Sequence, residues 1–481
     1  MPADLLRLAR SGAPKPGTGI VHLGLGAFFR AHGALYIAEA MAASGGDWGI
    51  AGVSLKRPDQ RDRLAPQGFA YTALELGSDR PAARTVEVLA DMLVAPEDPQ
   101  GVIALMADAG VKIVTLTVTE KGYCHQPATG RLDRTHPDIL ADLADPDRPV
   151  SAVGFLVAAL ARRRAAGIPP FTVLTCDNLP DNGHLVKGVV LELAGLIDPA
   201  LAEWIAEEAR FPSTMVDRIV PATTPEDLDR VAEITGRRDE SPVLHEPFRQ
   251  WVVEDDFVRG ERPDLAAAGV ELVVDVAPYE LMKLRCLNGT HSALAYLGYL
   301  AGHQTIADTI ADPAFSRFAD RIWTDEIIPG LTPPPGTDLA AYTTALKTRY
   351  ANPAIRHRTW QIAMDGSQKL PQRILSQLAE GLAAGRPMSG LILAVAAWMT
   401  YVGGTDLFGK PVDVRDPLAP RLRAALDGAP DSAAKVSALL AFREIFPASL
   451  AGNEAFRASL VEAHAGLARH GARHMVEAAH A

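Results

Sequence analysis

The sequence predicts an α/β domain built on a parallel sheet over residues 1–276, followed by a mostly α-helical domain over residues 277–481. Three observations carry this. Short β-rich runs alternate with helical stretches in the first part, the pattern of βαβ units. Strand signals nearly vanish after residue 277, where Ala- and Leu-rich helical periodicity takes over. And 481 residues are too many for one ordinary core.

In chain order, residues 1–17 read as a loose lead-in without the apolar core of a signal peptide. GIVHLGLG, from Gly19, is a short buried strand that ends in glycines. AHGALYIAEAMAAS follows as one helix, and DWGIAGVSL as a second strand. Further strands are expected in VKIVTLTVTE (111–120), FTVLTCDN (171–178), DRIVPAT (217–223) and VELVVDV (270–276). Helices are expected over 151–167 and 184–197. PGLTPPPGTD (329–338) reads as a rigid loop between helices. The longest apolar run, residues 391–402, is too short to span a bilayer and reads as a buried helix.

Composition narrows the function classes. With 48% hydrophobic and 22% charged residues, the chain reads as soluble and globular. A net charge of -11 argues against a nucleic-acid partner. Cys124, Cys176 and Cys286 fit no zinc template and are too few for a disulfide framework, so no metal and a reducing cytoplasm are expected.

Gly24-Leu25-Gly26 follows the first strand and opens the first helix. That is where a Rossmann-type fold cradles a dinucleotide pyrophosphate. The third glycine of the fingerprint is absent, and Phe29 stands there. Arg30 and His32 come next and are candidates to reach a phosphate or substrate. The second strand runs out through Lys56-Arg57 without the acid that usually holds the ribose hydroxyls. NAD or NADP both remain open on these residues.

Two strand ends deliver polar groups to the edge where such sheets bind ligands. One carries Thr119, Glu120 and Lys121; the other carries Asp177 and Asn178. Asp177 also fits a turn cap. Asp217-Arg218 fits an internal ion pair as well as a site role.

The most telling stretch is YELMKLRCLNGTHSALAYL, residues 279–297. On a regular α-helix, with Lys283 at 0°, Glu280 falls at about 60°, His291 at about 80° and Asn288 at about 140°. Leu281, Met282, Leu284, Leu287 and Leu294 on the same helix call for burial. A lysine, a carboxylate, an amide and an imidazole on a half-apolar arc need partners, and a shared cleft supplies them. A lysine acts as a base only if its pKa falls from about 10.4 towards the working pH, which burial promotes.

GLGAFFRAH, TVTEKGY, TCDNLPDNG, MVDRIVPATT, EPFRQWVVED, KLRCLNGTHSALAYLG and MDGSQKLPQR occur in this order. Together they resemble the polyol-specific long-chain dehydrogenases, the mannitol dehydrogenase family, which includes fructuronate reductases. The resemblance covers nearly the whole chain. It implies a zinc-independent, NAD-dependent secondary-alcohol dehydrogenase, with NADP possible. Lys283 is then the general base, Asn178 and Asn288 are the carbonyl-oxygen donors, and His291 positions the substrate. Asp217 and Glu280 lie near the site, with Glu280 as a proton relay. Lys369 and Arg373 are assigned to substrate. Gly24, Gly26, Phe28, Arg30, Lys56, Thr119 and Glu120 are assigned to the cofactor.

The expected partner is a small sugar alcohol, ketose or uronate, with no nucleic acid and no membrane, and a monomer suffices. Mannitol with fructose is favoured over mannonate with fructuronate. The polar arc is expected at the seam between domains, facing the nicotinamide. A non-catalytic nucleotide-binding protein has no reason for the Lys-Asn-His arc. A sugar-phosphate or hydroxyacid dehydrogenase would carry more basic residues around its substrate helix.

Overall fold

A computed structural model describes residues 5–12, 14–77, 81–127 and 129–479. Residues 1–4 and 13 of the expected lead-in lie outside them. The chain divides into two compact units, Met1–Ala277 and Pro278–Ala481.

The strands of the first unit are β1 (Thr18–Leu23), β2 (Gly49–Ser54), β3 (Tyr71–Glu75), β4 (Ala82–Val86), β5 (Leu89–Val94), β6 (Ile113–Leu116), β7 (Thr172–Thr175), β8 (Thr214–Asp217), β9 (Val243–His245), β10 (Gln250–Glu254) and β11 (Glu271–Val273). Five of them form one parallel sheet in the order β5-β2-β1-β6-β7. The order reverses at β1, which makes the β1/β6 crevice the topological switch point of a Rossmann-type sheet. Both faces are covered, as a parallel sheet requires. Val21, Leu23, Val114, Leu116 and Val173 pack into one apolar cluster. Ile20, Ile50, Ile113 and Leu174, pointing the other way, pack into another.

Several sequence expectations are corrected here. The strand expected at 217–223 lies earlier, at β8, where Thr214 to Asp217 pair antiparallel with β10. Beyond Asp217 the ladder cannot continue: Glu246 Oε1 accepts from the Ile219 N–H at 2.6 Å, and Pro221 has no N–H to give. Two small three-stranded sheets, β11-β10-β8 and β4-β3-β9, were not foreseen, nor was β5 at the edge of the main sheet. The first helix is two, Ala27–Ala31 and Gly33–Ser44, broken at His32 (φ −129°, ψ −89°).

The second unit is helical, with no strand among its described residues beyond isolated bridges. Its core surrounds helices Thr290–Leu300 and Ser389–Val402; residues 390–399 of the latter are all buried. No helix among the described residues is long and apolar enough to cross a membrane.

The segment carrying Lys283 is not a regular α-helix. Between helices Ala277–Met282 and Thr290–Leu300 lies a π-helical turn, Lys283–Gly289. Its i→i+5 bonding changes the angular arithmetic. Lys283 and Asn288, five residues apart, come nearer to one face than the about 140° that a regular α-helix would put between them. Two side chains take carbonyls at the end of this turn. Trp323 Nε1 donates to Cys286 O (2.9 Å), and the Tyr350 hydroxyl donates to Leu287 O (2.7 Å). Leu281 and Leu284 are only half-buried, whereas Lys283, Asn288 and His291 are buried.

Candidate active site

The glycine turn of the first unit is built from the strand outward. Gly24 sits at φ +86°, where a Cβ would strike the carbonyl oxygen of Thr117. Its N–H donates to Val53 O (2.9 Å), so the turn is tied to the end of β2. Beneath it, His22 bonds Thr115 Oγ1 (2.7 Å) and Thr117 Oγ1 (2.8 Å) and stacks on Phe29 at 3.5 Å. Burial pushes the His22 pKa down to about 3, so this imidazole stays neutral. Gly26 differs from Gly24. It is exposed, at φ −101°, and a Cβ there would meet only Gly24 O at 3.7 Å. Nothing inside the chain requires glycine at 26. What the missing Cβ keeps open is the approach to the backbone from solvent, which suits a pyrophosphate.

Arg30 is corrected from cofactor contact to scaffold. It is buried, donates to Ser241 O (2.5 Å) and lies over the Tyr71 ring. His32 is likewise committed, with Nε2 against Gln250 O (2.9 Å) and its ring near Trp251. Phe28 is half-buried and stacks on His32. Lys56, Thr119 and Glu120 are exposed.

At the strand ends, Asp177 is a fastener. Its carboxylate accepts from Val118 N (2.8 Å), Thr119 N (3.1 Å) and the Tyr123 hydroxyl (2.8 Å). It holds the loop after β6 to the end of β7, with Thr119 at φ +65°, a costly angle for a branched residue. Burial raises the Asp177 pKa. Asn178, the next residue, is exposed. Asn182 was missed by sequence reading: buried, it donates to Asp177 O (3.0 Å) and Thr214 O (2.8 Å) and accepts from Thr214 N (2.9 Å). It thereby stitches the exit of β7 to β8, the strand that ends in buried Asp217. Asn182 stands four residues after Asn178 in an ordinary polar loop run, DNLPDN, which gives no signal of this role in sequence. Arg218 gives its donors to Ala31 O, Glu246 O and Pro247 O.

In the second unit, Gly289 permits a close crossing. A Cβ there would stand 2.7 Å from Arg373 O, in a second π turn, Pro371–Leu375. This crossing brings Lys369 and Arg373 towards His291. The His291 ring stacks on Tyr350 at 5.2 Å and meets His357 edge-on at 4.8 Å. Its pKa is driven well below 6.5, first by burial and then by His357, Arg373, Arg349 and Lys369. His357 is pushed down to about 4 for the same first reason. Both imidazoles are therefore neutral near pH 7, and His291 Nε2 and His357 Nδ1 are buried without a hydrogen-bond partner among the described residues. Lys369, lowered by burial to about 8, donates to Met364 O (2.6 Å). Arg373 donates to Ser292 Oγ (3.2 Å) and forms no ion pair among the described residues. Glu280 is half-buried in the helix preceding the π turn.

This geometry is accompanied by two family matches. Residues 18–267 match the mannitol dehydrogenase Rossmann domain, and residues 275–468 the mannitol dehydrogenase C-terminal domain. The chain belongs to the mannitol dehydrogenase family. It is 46% identical over 463 residues to D-mannonate oxidoreductase of Escherichia coli strain K12, covering 95% of each chain. It is 40% identical to mannitol 2-dehydrogenase of Phaeosphaeria nodorum, covering 95% of this chain and 80% of that one. Among solved structures, it resembles the Pseudomonas fluorescens mannitol 2-dehydrogenase ternary complex with NAD and D-mannitol. The TM-score is 0.86 at 37% identity, over 99% of this chain and 97% of that one. The Rossmann-type sheet and the helical second unit are those of the family.

Proposed function

We propose that this chain is an NAD(P)-dependent oxidoreductase that interconverts a secondary alcohol and a ketone on an open-chain sugar derivative, and that the substrate ends in a carboxylate, as in D-mannonate and D-fructuronate. The observation that carries the substrate class is the cationic group around His291, in which Arg349 is buried and Lys369 and Arg373 are half-buried. Arg373, Lys369 and Arg349 all depress its protonation, and Arg373 has no counter-ion among the described residues. Buried cations are costly unless paired, and a substrate carboxylate supplies the partner. The 46% identity to a D-mannonate oxidoreductase supports the same choice over mannitol, the pair favoured on sequence.

The backbone around Gly24 and Gly26 would hold the dinucleotide, which takes up the hydride when the alcohol is oxidised. Lys283 removes the hydroxyl proton, and Glu280, three residues back, passes it to solvent. Asn178 and Asn288 donate to the oxygen as its charge develops; each such donor is worth about 3 kcal/mol in the transition state. Asp217 supports that group of residues. His291, neutral and with Nε2 uncommitted, hydrogen-bonds the substrate chain and fixes its register. A charge-assisted bond to the carboxylate contributes about 1.5–3 kcal/mol, about 10- to 100-fold in discrimination.

The test is a panel of D-fructuronate, D-fructose, D-mannonate and D-mannitol, assayed with NAD(H) and NADP(H). A kcat/KM for fructuronate at least about ten-fold above fructose is expected. Preference for fructose and mannitol would replace the sugar acid by a neutral polyol, and no turnover of any would remove the reading.

A further inference from the structure

We infer that the carboxyl end of β2 is a 2′-phosphate site formed by Lys56 and Arg57, so that this chain binds NADP(H) in preference to NAD(H). The inference rests on the dinucleotide reading of the glycine turn. It concerns the corner beside that turn where an NAD-binding pattern calls for an acid.

Position comes first. β2 lies beside β1 in parallel register, with Leu23 opposite Val53, and Gly24 N–H bonds Val53 O at 2.9 Å. Ser54 still pairs with Val94 of β5, and the residues that follow it leave the sheet at the rim of the glycine turn. In a sheet of this strand order, that is where the adenosine ribose is held. NAD binders place an acid there to accept from the 2′-hydroxyl, whereas a basic residue accommodates a 2′-phosphate. From Ser54 to Pro58 this chain offers no carboxylate.

The local structure then leaves both cations exposed and at most weakly paired. Ser54 Oγ donates to Arg57 O at 2.5 Å, closing a turn that leaves Lys56 and Arg57 at the surface. Leu55 instead packs towards the apolar cluster on one face of the sheet. Lys56 has no hydrogen bond or ion pair among the described residues. Arg57 reaches only Asp59, at 4.0 Å, with side chains 82% and 63% exposed, a pair worth little. The other acids close in sequence and space, Asp62 and Glu97, are both taken by Arg61. Two adjacent exposed cations, one of them held only by a long surface ion pair, match a dianionic phosphate in charge where a ribose is expected. They would leave a bare 2′-hydroxyl without an acceptor.

The experiment measures binding, independently of turnover. The full-length protein is titrated by calorimetry with 2′,5′-ADP, 5′-AMP, NADP+ and NAD+, at low and high salt. The expected result is 2′,5′-ADP binding about ten-fold or more tighter than 5′-AMP, with a steeper loss on adding salt. In Lys56→Glu/Arg57→Asp, the ratio of NADP+ to NAD+ affinity falls by about ten-fold or more. Circular dichroism and melting establish that this exposed double variant is folded. Equal affinities for the two adenosine phosphates, or a ratio unmoved in the folded variant, would overturn the 2′-phosphate site while leaving the dinucleotide reading intact. Absence of binding by all four would overturn both.

Discussion

Gly289 rests directly against the backbone of Arg373: a single added methyl group would stand 2.7 Å from the Arg373 carbonyl oxygen. Two π turns cross at this point, one carrying Lys283 and Asn288, the other carrying Arg373. Gly289→Ala must push them apart. A stability loss of about 1–3 kcal/mol is expected from such overpacking. It should come with a fall in kcat, because Asn288 is the neighbouring residue. Chemical denaturation and steady-state kinetics on the same preparation check this; unchanged values for both would show that the crossing is not tight.

Lys283→Ala removes the proposed base. Turnover is expected to fall by about 10²- to 10⁴-fold, the usual contribution of general base catalysis. Dinucleotide affinity, measured by fluorescence titration, should remain. Normal turnover in this variant would transfer the base role elsewhere.

Arg373→Gln tests the carboxylate reading. The ratio of kcat/KM for fructuronate to that for fructose should drop by about 10- to 100-fold. A variant that loses both substrates in proportion would make Arg373 a structural cation held by Ser292, not a recognition group.

Glu326 gives a pH prediction. Its carboxylate accepts from the N–H groups of Gly390 (2.7 Å) and Leu391 (2.9 Å) at the start of helix Ser389–Val402. Burial nevertheless raises its pKa from 4.5 to about 7. The folded state thus holds this proton more tightly than the unfolded chain. The associated stability is full below pH 4.5 and is lost as pH rises through about 7, by up to about 3 kcal/mol. In Glu326→Gln, the change in unfolding free energy between pH 4.5 and pH 8 should shrink by that order. An identical pH dependence in the variant would place the titration at another group.

The legible parts of the fold are those fixed by local pattern. β1, its glycine turn and β2 follow from a buried apolar run broken by glycines, and the buried helix Ser389–Val402 from an unbroken apolar stretch. The π turn at Lys283 was not legible. The carbonyls at its end are received by Trp323 and Tyr350, 37 and 63 residues further along, and nothing local announces them. Arg30 misled for the opposite reason. Its position after the glycines suits a phosphate, but its actual partner, Ser241 O, comes 211 residues later. β4 escaped notice because four of its five residues are exposed and carry no alternation.

The absent third glycine has a consequence for how such chains are found. Phe29 occupies that position and lies flat on His22, and the room for it comes from Gly33, where a Cβ would sit 2.6 Å from the Phe29 ring. The requirement for a small residue has moved along the helix, giving a spacing of Gly-x-Gly followed, after six residues, by Gly. A search pattern written with glycine fixed at the usual third place rejects this turn. One that scores a large aromatic together with a glycine four residues later would retrieve it, and would do so on sterics alone.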